Sequence, residues 1–470
     1  MAQAAPAAFE QGRPVSTDHA LKAAPVLKNA AGAVGLQAPL AQAHAQALAV
    51  QPAGAATSAW PSEDGGAERR QAVSPVSRLA LQPGERLVCR SRATLLSTMT
   101  VLGPQGQVYF LTHSALRAHL GLATTARVER IHPTGLHTLQ RSPRLNGGPL
   151  WPGGMALHPN GSLIVVYGRH AHRLDLDCQP LAVRQLPQEQ AYNGFVTLAN
   201  GLVVTKNLSE TQAARLSVLA PNTLASLGPD TLCPEPSVAR LSAVGNTVYV
   251  VGTHSVMRFH WNAAQTRLDL DPSWRYFYLS QGQSFGWDLV LAAGHAWFMD
   301  NGKHRYRFQM RGAGVSPGAN RLHRVSLSDA ADHQSVQVSG LPHGSITNPP
   351  LVDAQRQVVL AYDSANACVQ AFAFATEAGR TALTPLWRKD SFGCASHMLL
   401  YADSGEVVLN DWRRWGEEVV VLDILTGQEK GRVRVGGWSQ GVVFPSPGLS
   451  RDFYWCSMSR VARVSVEDAA

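Results

Sequence analysis

A chain of 470 residues, 45% hydrophobic and only 16% charged, has enough apolar surface for a large core and falls outside the disordered class. Its net charge of +8 favours anionic partners through long-range attraction, but there is no Lys/Arg block and no nucleic-acid-binding pattern, which argues against nucleic acid. No apolar run reaches the roughly 18 residues that a membrane-spanning helix needs, so no membrane span is expected.

Residues 1–75 read as a disordered, Ala-rich N-terminal tail ahead of one domain over 76–470. In the tail Arg13, Lys22, Lys28, Arg69 and Arg70 balance Glu10, Asp18, Glu63, Asp64 and Glu68, so the basic excess sits on the folded part. Residues 30–55 begin far from Met1 and are interrupted by Gln37, Gln42, His44 and Gln46, which does not suit a secretory signal. A cytoplasmic location is expected, with export to the periplasm as the alternative. Cys89, Cys178, Cys233, Cys368, Cys394 and Cys456 show no C-x-x-C spacing and read as buried free thiols.

Beyond the tail a weak repeat runs down the chain: an apolar run, a turn with Pro, Gly, Asn or Asp, a second run, a polar loop, a third run. Copies span Met99–Leu120, Met155–Asp177, Gly194–Asn207 with Arg215–Pro221, and Ala239–Trp261. They continue through Trp287–Gly302 with Arg321–Leu327, Pro350–Phe374, His397–Ile424 and Gly441–Val466. Starts recur about every 49 residues, the period of propeller blades. The runs are too short for helices and their turns suit hairpins. The expected fold is all-β: a single closed β-propeller of four-stranded antiparallel blades, eight-bladed. If the first copy is an extension rather than a blade, the ring is seven-bladed.

The rhythm of HPNGSLIVVYGRHAHRLDLD resembles NHL-type and SMP-30/gluconolactonase-type propellers. VVVLDILTGQEKGRVRV, Val419–Val435, resembles one repeat of the eight-bladed quinoprotein dehydrogenase propellers. Across roughly 97–468 the chain looks like a bacterial propeller of this broad superfamily. The lactonase resemblance implies a divalent metal such as Ca or Mg held on the axis. The quinoprotein resemblance would imply pyrroloquinoline quinone, but Arg432 stands where that repeat ends in Trp, which argues against PQQ.

Strand direction locates a site. The loop after strand two and the loop into strand one of every blade share one end of the ring, called the top here. Those loops carry most of the acids, histidines and aromatics, as a ligand-binding mouth requires. Asp288, Asp300 and His254 are the candidate catalytic groups. Asp288, Asp300, Asn348 and Asp363 form an oxygen-rich set suited to Ca or Mg. Trp151, Arg169, Asn193, Lys206, Trp287 and His397 are candidate substrate-binding residues. Arg305 and Arg307 join them from the long basic loop Asn301–Asn320, since planar guanidiniums suit carboxylate or phosphate capture.

Three functions follow. One is a metal-dependent hydrolase of lactone or ester type acting on an anionic small molecule at the top-face mouth. The second is a non-catalytic ligand- or protein-binding scaffold, since fold does not give function. The third is a quinone-dependent oxidoreductase. The sequence leans to the hydrolase and leaves the oligomeric state open.

Overall fold

Residues 163–167 (LIVVY) form a strand that is buried along its whole length, without the alternation of a half-solvated strand. Such a run is stable only between two other apolar layers. By contrast Pro180–Gln185, the fourth strand of the same sheet, is largely exposed. Each sheet therefore runs from a buried inner edge to a wet rim, which is the burial gradient of a propeller blade.

The computed structural model describes residues 60, 63–70, 78–114, 117, 120–305, 314–377, 380–413, 416–437 and 444–469. These residues form an eight-bladed β-propeller. Blade 2 runs from Gly154–Leu157 to Pro180–Gln185 and blade 3 from Tyr192–Thr197 to Thr231–Leu232. Blade 4 runs from Ser242–Val244 to Arg267–Phe277 and blade 5 from Val290–Ala292 to His333–Gln337. Blade 6 runs from Leu351–Asp353 to Arg380–Asp390 and blade 7 from Leu399–Tyr401 to Glu429–Arg434. Each is a four-stranded antiparallel sheet in sequence order.

Blades 1 and 8 share one long strand, Glu85–Leu102. Its second half, Ser97–Leu102, pairs with Val108–His113 and opens blade 1. Its first half, Glu85–Ala93, pairs with Arg460–Asp468 and becomes the outer strand of blade 8. The register breaks between Ala93 and Ser97, where the chain crosses from one blade to the next. Asp452–Asp468 doubles back on itself: Phe453 and Tyr454 pair with Ser446–Pro447, and the Val466 amide meets the Arg451 carbonyl at 3.0 Å. The N-terminal strand thus closes the ring and leaves no open blade edge at the seam.

The turns joining first to second strands, at the bottom of the ring, use glycine where φ is positive. Gly161 (φ 79) and Gly201 (φ 82) are examples, and both lie in turns read from the sequence. All six cysteines are unpaired, five of them buried. Among the described residues no helix is long and apolar enough to cross a membrane.

Candidate functional site

An eight-membered ring leaves a channel on its axis, lined by the inner edges of eight first strands. Those edges carry backbone amides with no neighbouring strand. Here part of the N-terminal segment supplies partners. The carbonyls of Trp60, Ala67 and Arg70 accept from the amides of Leu157, Leu291 and Leu400, at 3.0, 2.9 and 3.0 Å. Those amides belong to blades 2, 5 and 7, so the segment spans the channel. Trp60 is buried among Met99, Met155 and Phe444. The boundary expected at residue 75 therefore does not hold for residues 60 and 63–70, which are part of the folded ring. Residues 1–59 lie outside the described residues.

The local sequence explains the insertion. Glu63–Gly65 makes one 3-10 turn; its last residue, Gly65, and the next, Gly66, have φ of 80 and 132, values that glycine adopts without strain. The Arg69 amide then bonds the Gly66 carbonyl at 3.1 Å. This reversal aims Glu63, Asp64 and Arg69 at the ends of the inner strands.

Five buried ionisable groups and one histidine meet there. Arg69 Nη1 lies 2.5 Å from Asp64 Oδ2 and 3.5 Å from Asp288 Oδ2. Its Nε donates to the Leu289 carbonyl at 2.9 Å and to Ser242 Oγ at 3.1 Å, and Nη2 donates to the Leu241 carbonyl. Asp288 Oδ1 accepts from the Arg240 amide at 2.6 Å, with the Arg240 guanidinium 3.8 Å from Oδ2. His397 Nδ1 is 3.1 Å from Asp64 Oδ1, and its ring stacks on Phe444 at 4.0 Å. Phe444 also lies under the Arg240 guanidinium at 4.5 Å.

Glu63 is the exception to the good pairing. Neither carboxyl oxygen has a hydrogen-bond partner, and Arg240 Nε stands 3.6 Å away. The carboxyl fits only because residues 154 and 194 are glycines: a Cβ at either would fall 1.6 or 2.0 Å from a Glu63 oxygen. Burial pushes the Glu63 carboxyl up to about 8, against the lowering effect of Arg240 and Arg69. Burial would also raise Asp64, but His397, Arg69 and Arg240 outweigh it and hold Asp64 well below the usual carboxylate range. Arg69 is raised: burial disfavours its charge, and Asp288, Asp64 and Glu63 more than restore it.

Asp64, Asp288 and His397 place possible ligand atoms within 4.8 Å of one another, the one such group among the described residues. The donors do not suit a metal in this arrangement, because Arg69 Nη1 already stands between the two carboxylates. The cation shared by the acids is a guanidinium. The set Asp288, Asp300, Asn348 and Asp363 does not converge either. Asp300 accepts from the Arg321 amide at 2.7 Å and from Arg321 Nε at 2.8 Å, with His323 Nε2 at 3.2 Å. Asp363 accepts from Ser339 Oγ at 2.6 Å and from the Ser345 and Asn366 amides at 3.1 Å each. Asn348 Nδ2 donates to the Ala395 carbonyl at 2.5 Å. Each tethers its own blade or the next one, as a loop cap does.

The other expected residues divide further. His254 lies at the same end of the ring but on the rim, 62% exposed, with Glu235 at 3.4 Å. Trp151 and Trp287, from the loops into blades 2 and 5, stack on each other at 6.1 Å. Trp287 Nε1 donates to the Gly302 carbonyl at 3.1 Å. Lys206 is buried, bonded to the Ser237 and Asn207 carbonyls at 3.1 and 3.3 Å, and burial lowers it to about 8. Arg169 is half-buried against Gly148. Arg305 is exposed; Arg307 and the Asn193 side chain lie outside the described residues. Lys303, in the same loop as Arg305, reaches Glu210 of blade 3 at 3.5 Å. Of the expected site residues, Asp288 and His397 belong to the axial cluster; Glu63, Asp64 and Arg69, read from the sequence as tail residues, were not expected in it. The local signal was a Trp followed by Glu-Asp-Gly-Gly and Arg in an otherwise bland tail.

No family model and no curated protein matches the chain. Solved structures do. It is similar to BamB from Moraxella catarrhalis, at 11% identity and TM-score 0.52, over 81% of this chain and 99% of that one. It is similar to quinohemoprotein alcohol dehydrogenase from Comamonas testosteroni, at 11% identity and TM-score 0.54, over 91% and 84%. The Dos1 propeller matches at 9% identity and TM-score 0.53, over 83% and 96%. At such identities the likeness establishes the fold alone. This chain is a β-propeller.

Proposed function

We propose that this protein is a binding propeller: a scaffold that holds a ligand or a partner segment on its axis and does no chemistry there. The occupied channel carries this reading. A hydrolase at the top-face mouth would need water and a carbonyl within reach of Asp288 or His397. Those positions are taken by Arg69 and Asp64. A cavity beside the segment, lined in part by Glu63, Phe195 and Ser242, has no room for a water molecule. Asp300, Asp363 and Asn348 are engaged in holding loops.

The test is an assay of the full chain on neutral and anionic lactones and aryl esters, with and without Ca2+, Mg2+, Mn2+ and Zn2+. The expected result is no turnover above that of the His397→Ala chain. Turnover that His397→Ala and Asp288→Asn both abolish would replace this reading with the hydrolase.

A further inference from the structure

The segment in the channel displays what the channel wall recognises. The wall offers three backbone amides, those of Leu157, Leu291 and Leu400, which hold the main chain of the segment at Trp60, Ala67 and Arg70. It offers Arg240 and His397 to acidic side chains. Gly154 and Gly194 leave a recess that fits one carboxyl group. Opposite these, Asp288 and the carbonyls of Leu241 and Leu289 form a receptacle for one guanidinium. A planar, forked donor fills that receptacle in a way an ammonium would not.

We infer that the axial channel is a peptide site for an acidic glycine turn followed by an arginine, filled in cis by residues 60 and 63–70, and that it accepts a segment of the same class from another chain. This deepens the binding-propeller reading and rests on it. Tethering explains why the site is full: a linked segment competes at an effective concentration of order millimolar. A free peptide enters only when the chain's own segment is released.

The experiment uses the full chain with a protease site introduced between residues 71 and 77, cleaved after folding. The probe is a synthetic peptide of residues 58–72, fluorescein-labelled at its N-terminus and followed by anisotropy. Either the cleaved fragment co-elutes with the propeller or the propeller takes up the probe; both show binding in trans. Peptides carrying Glu63→Gln with Asp64→Asn, or Arg69→Ala, compete about tenfold more weakly or worse. The uncut chain takes up no probe.

Loss of the fragment from a folded propeller that also ignores the probe overturns the inference, as does equal competition by the altered peptides. Should cleavage unfold the ring, the uncut Asp64→Asn, Arg69→Ala chain serves instead: folded, it must take up the unaltered probe, and refusal overturns the inference. Neither outcome bears on turnover of esters, so the two readings fail separately.

Discussion

The guanidinium of Arg69 lies 3.5 Å from the carboxylate of Asp288, 219 residues further along the chain, and both side chains are almost fully buried. Removing one member of such a set leaves a desolvated charge without compensation. Arg69→Met exposes Asp64 and Asp288 to each other and is expected to cost about 3–5 kcal/mol. Asp288→Asn should cost less, because Asp64 still balances Arg69. In urea denaturation the double variant should lose less than the two single losses combined, as contacting residues do. Strict additivity would mean that the two side chains do not meet.

The buried carboxyl of Glu63 makes stability depend on pH. Its folded value, about 8, lies above the unfolded value near 4.5. A group raised on folding contributes fully below its unfolded value, and the contribution is lost as pH rises through the folded one. Stability should therefore fall between about pH 4.5 and pH 8, with a slope for this group approaching ~1.4 kcal/mol per pH unit. The charged groups that face Glu63 are Arg240, Arg69, Asp64 and Asp288. Glu63→Gln should flatten its share of the slope and leave the chain more stable than the natural protein at pH 8.5. Glu417, buried between blades 7 and 8 and raised by burial to about 7, adds a slope of the same sign, so Glu417→Gln is the companion variant. Melting curves across pH that are identical with and without Glu63→Gln would count against a buried Glu63.

The ring was legible in the sequence because each second strand is buried on both faces. LIVVY at 163–167, between glycine turns, and VVLAY at 358–362 appear as unbroken apolar runs, and eight such copies set the blade count. The axial cluster was not legible. Its members are joined only by ring closure, and nothing near Asp64 in sequence indicates Asp288 or His397. Charge balance within the first 75 residues also hid the segment, since paired acids and bases look the same in a solvated tail and in a buried lock. The outer strand of blade 8 was missed for a related reason. ERLVCRSRA precedes the first copy, and its partner lies at the far end of the chain.

Asp300 shows how a conspicuous acid can mislead. Its position at the end of a second strand suggested a mouth ligand, yet it is buried beneath the Arg321 amide and guanidinium and beside His323. Asp300→Asn keeps the shape but weakens the acceptor set. A loss of roughly 2–4 kcal/mol is expected, with binding of any axial peptide unchanged in the folded fraction. Burial lowers His323, so it adds no fixed positive charge that Asn would leave stranded; the cost comes from the bonds to Arg321. Denaturation midpoints for Asp300→Asn beside exposed His254→Ala, which should change little, distinguish a blade tether from a rim residue.

One arginine anchors the start of the closing strand. Arg451, in the bottom turn of blade 8, forms paired contacts to Glu85 at 2.6 and 2.5 Å, where the closing strand begins. Its Nε also donates to the Leu79 carbonyl at 2.8 Å and Nη2 to the Ala80 carbonyl at 2.5 Å. A lysine keeps the charge but offers a single point of contact, so it cannot hold the carboxylate and both carbonyls at once. Arg451 is 41% exposed, so water recovers part of what is lost. Arg451→Lys should therefore cost only about 1 kcal/mol globally. The local effect should be larger: amides of Glu85–Ala93 should exchange with deuterium faster than in the natural chain, while those of Leu163–Tyr167 keep their protection. Equal acceleration in both strands would show that the closing strand does not open separately from the ring.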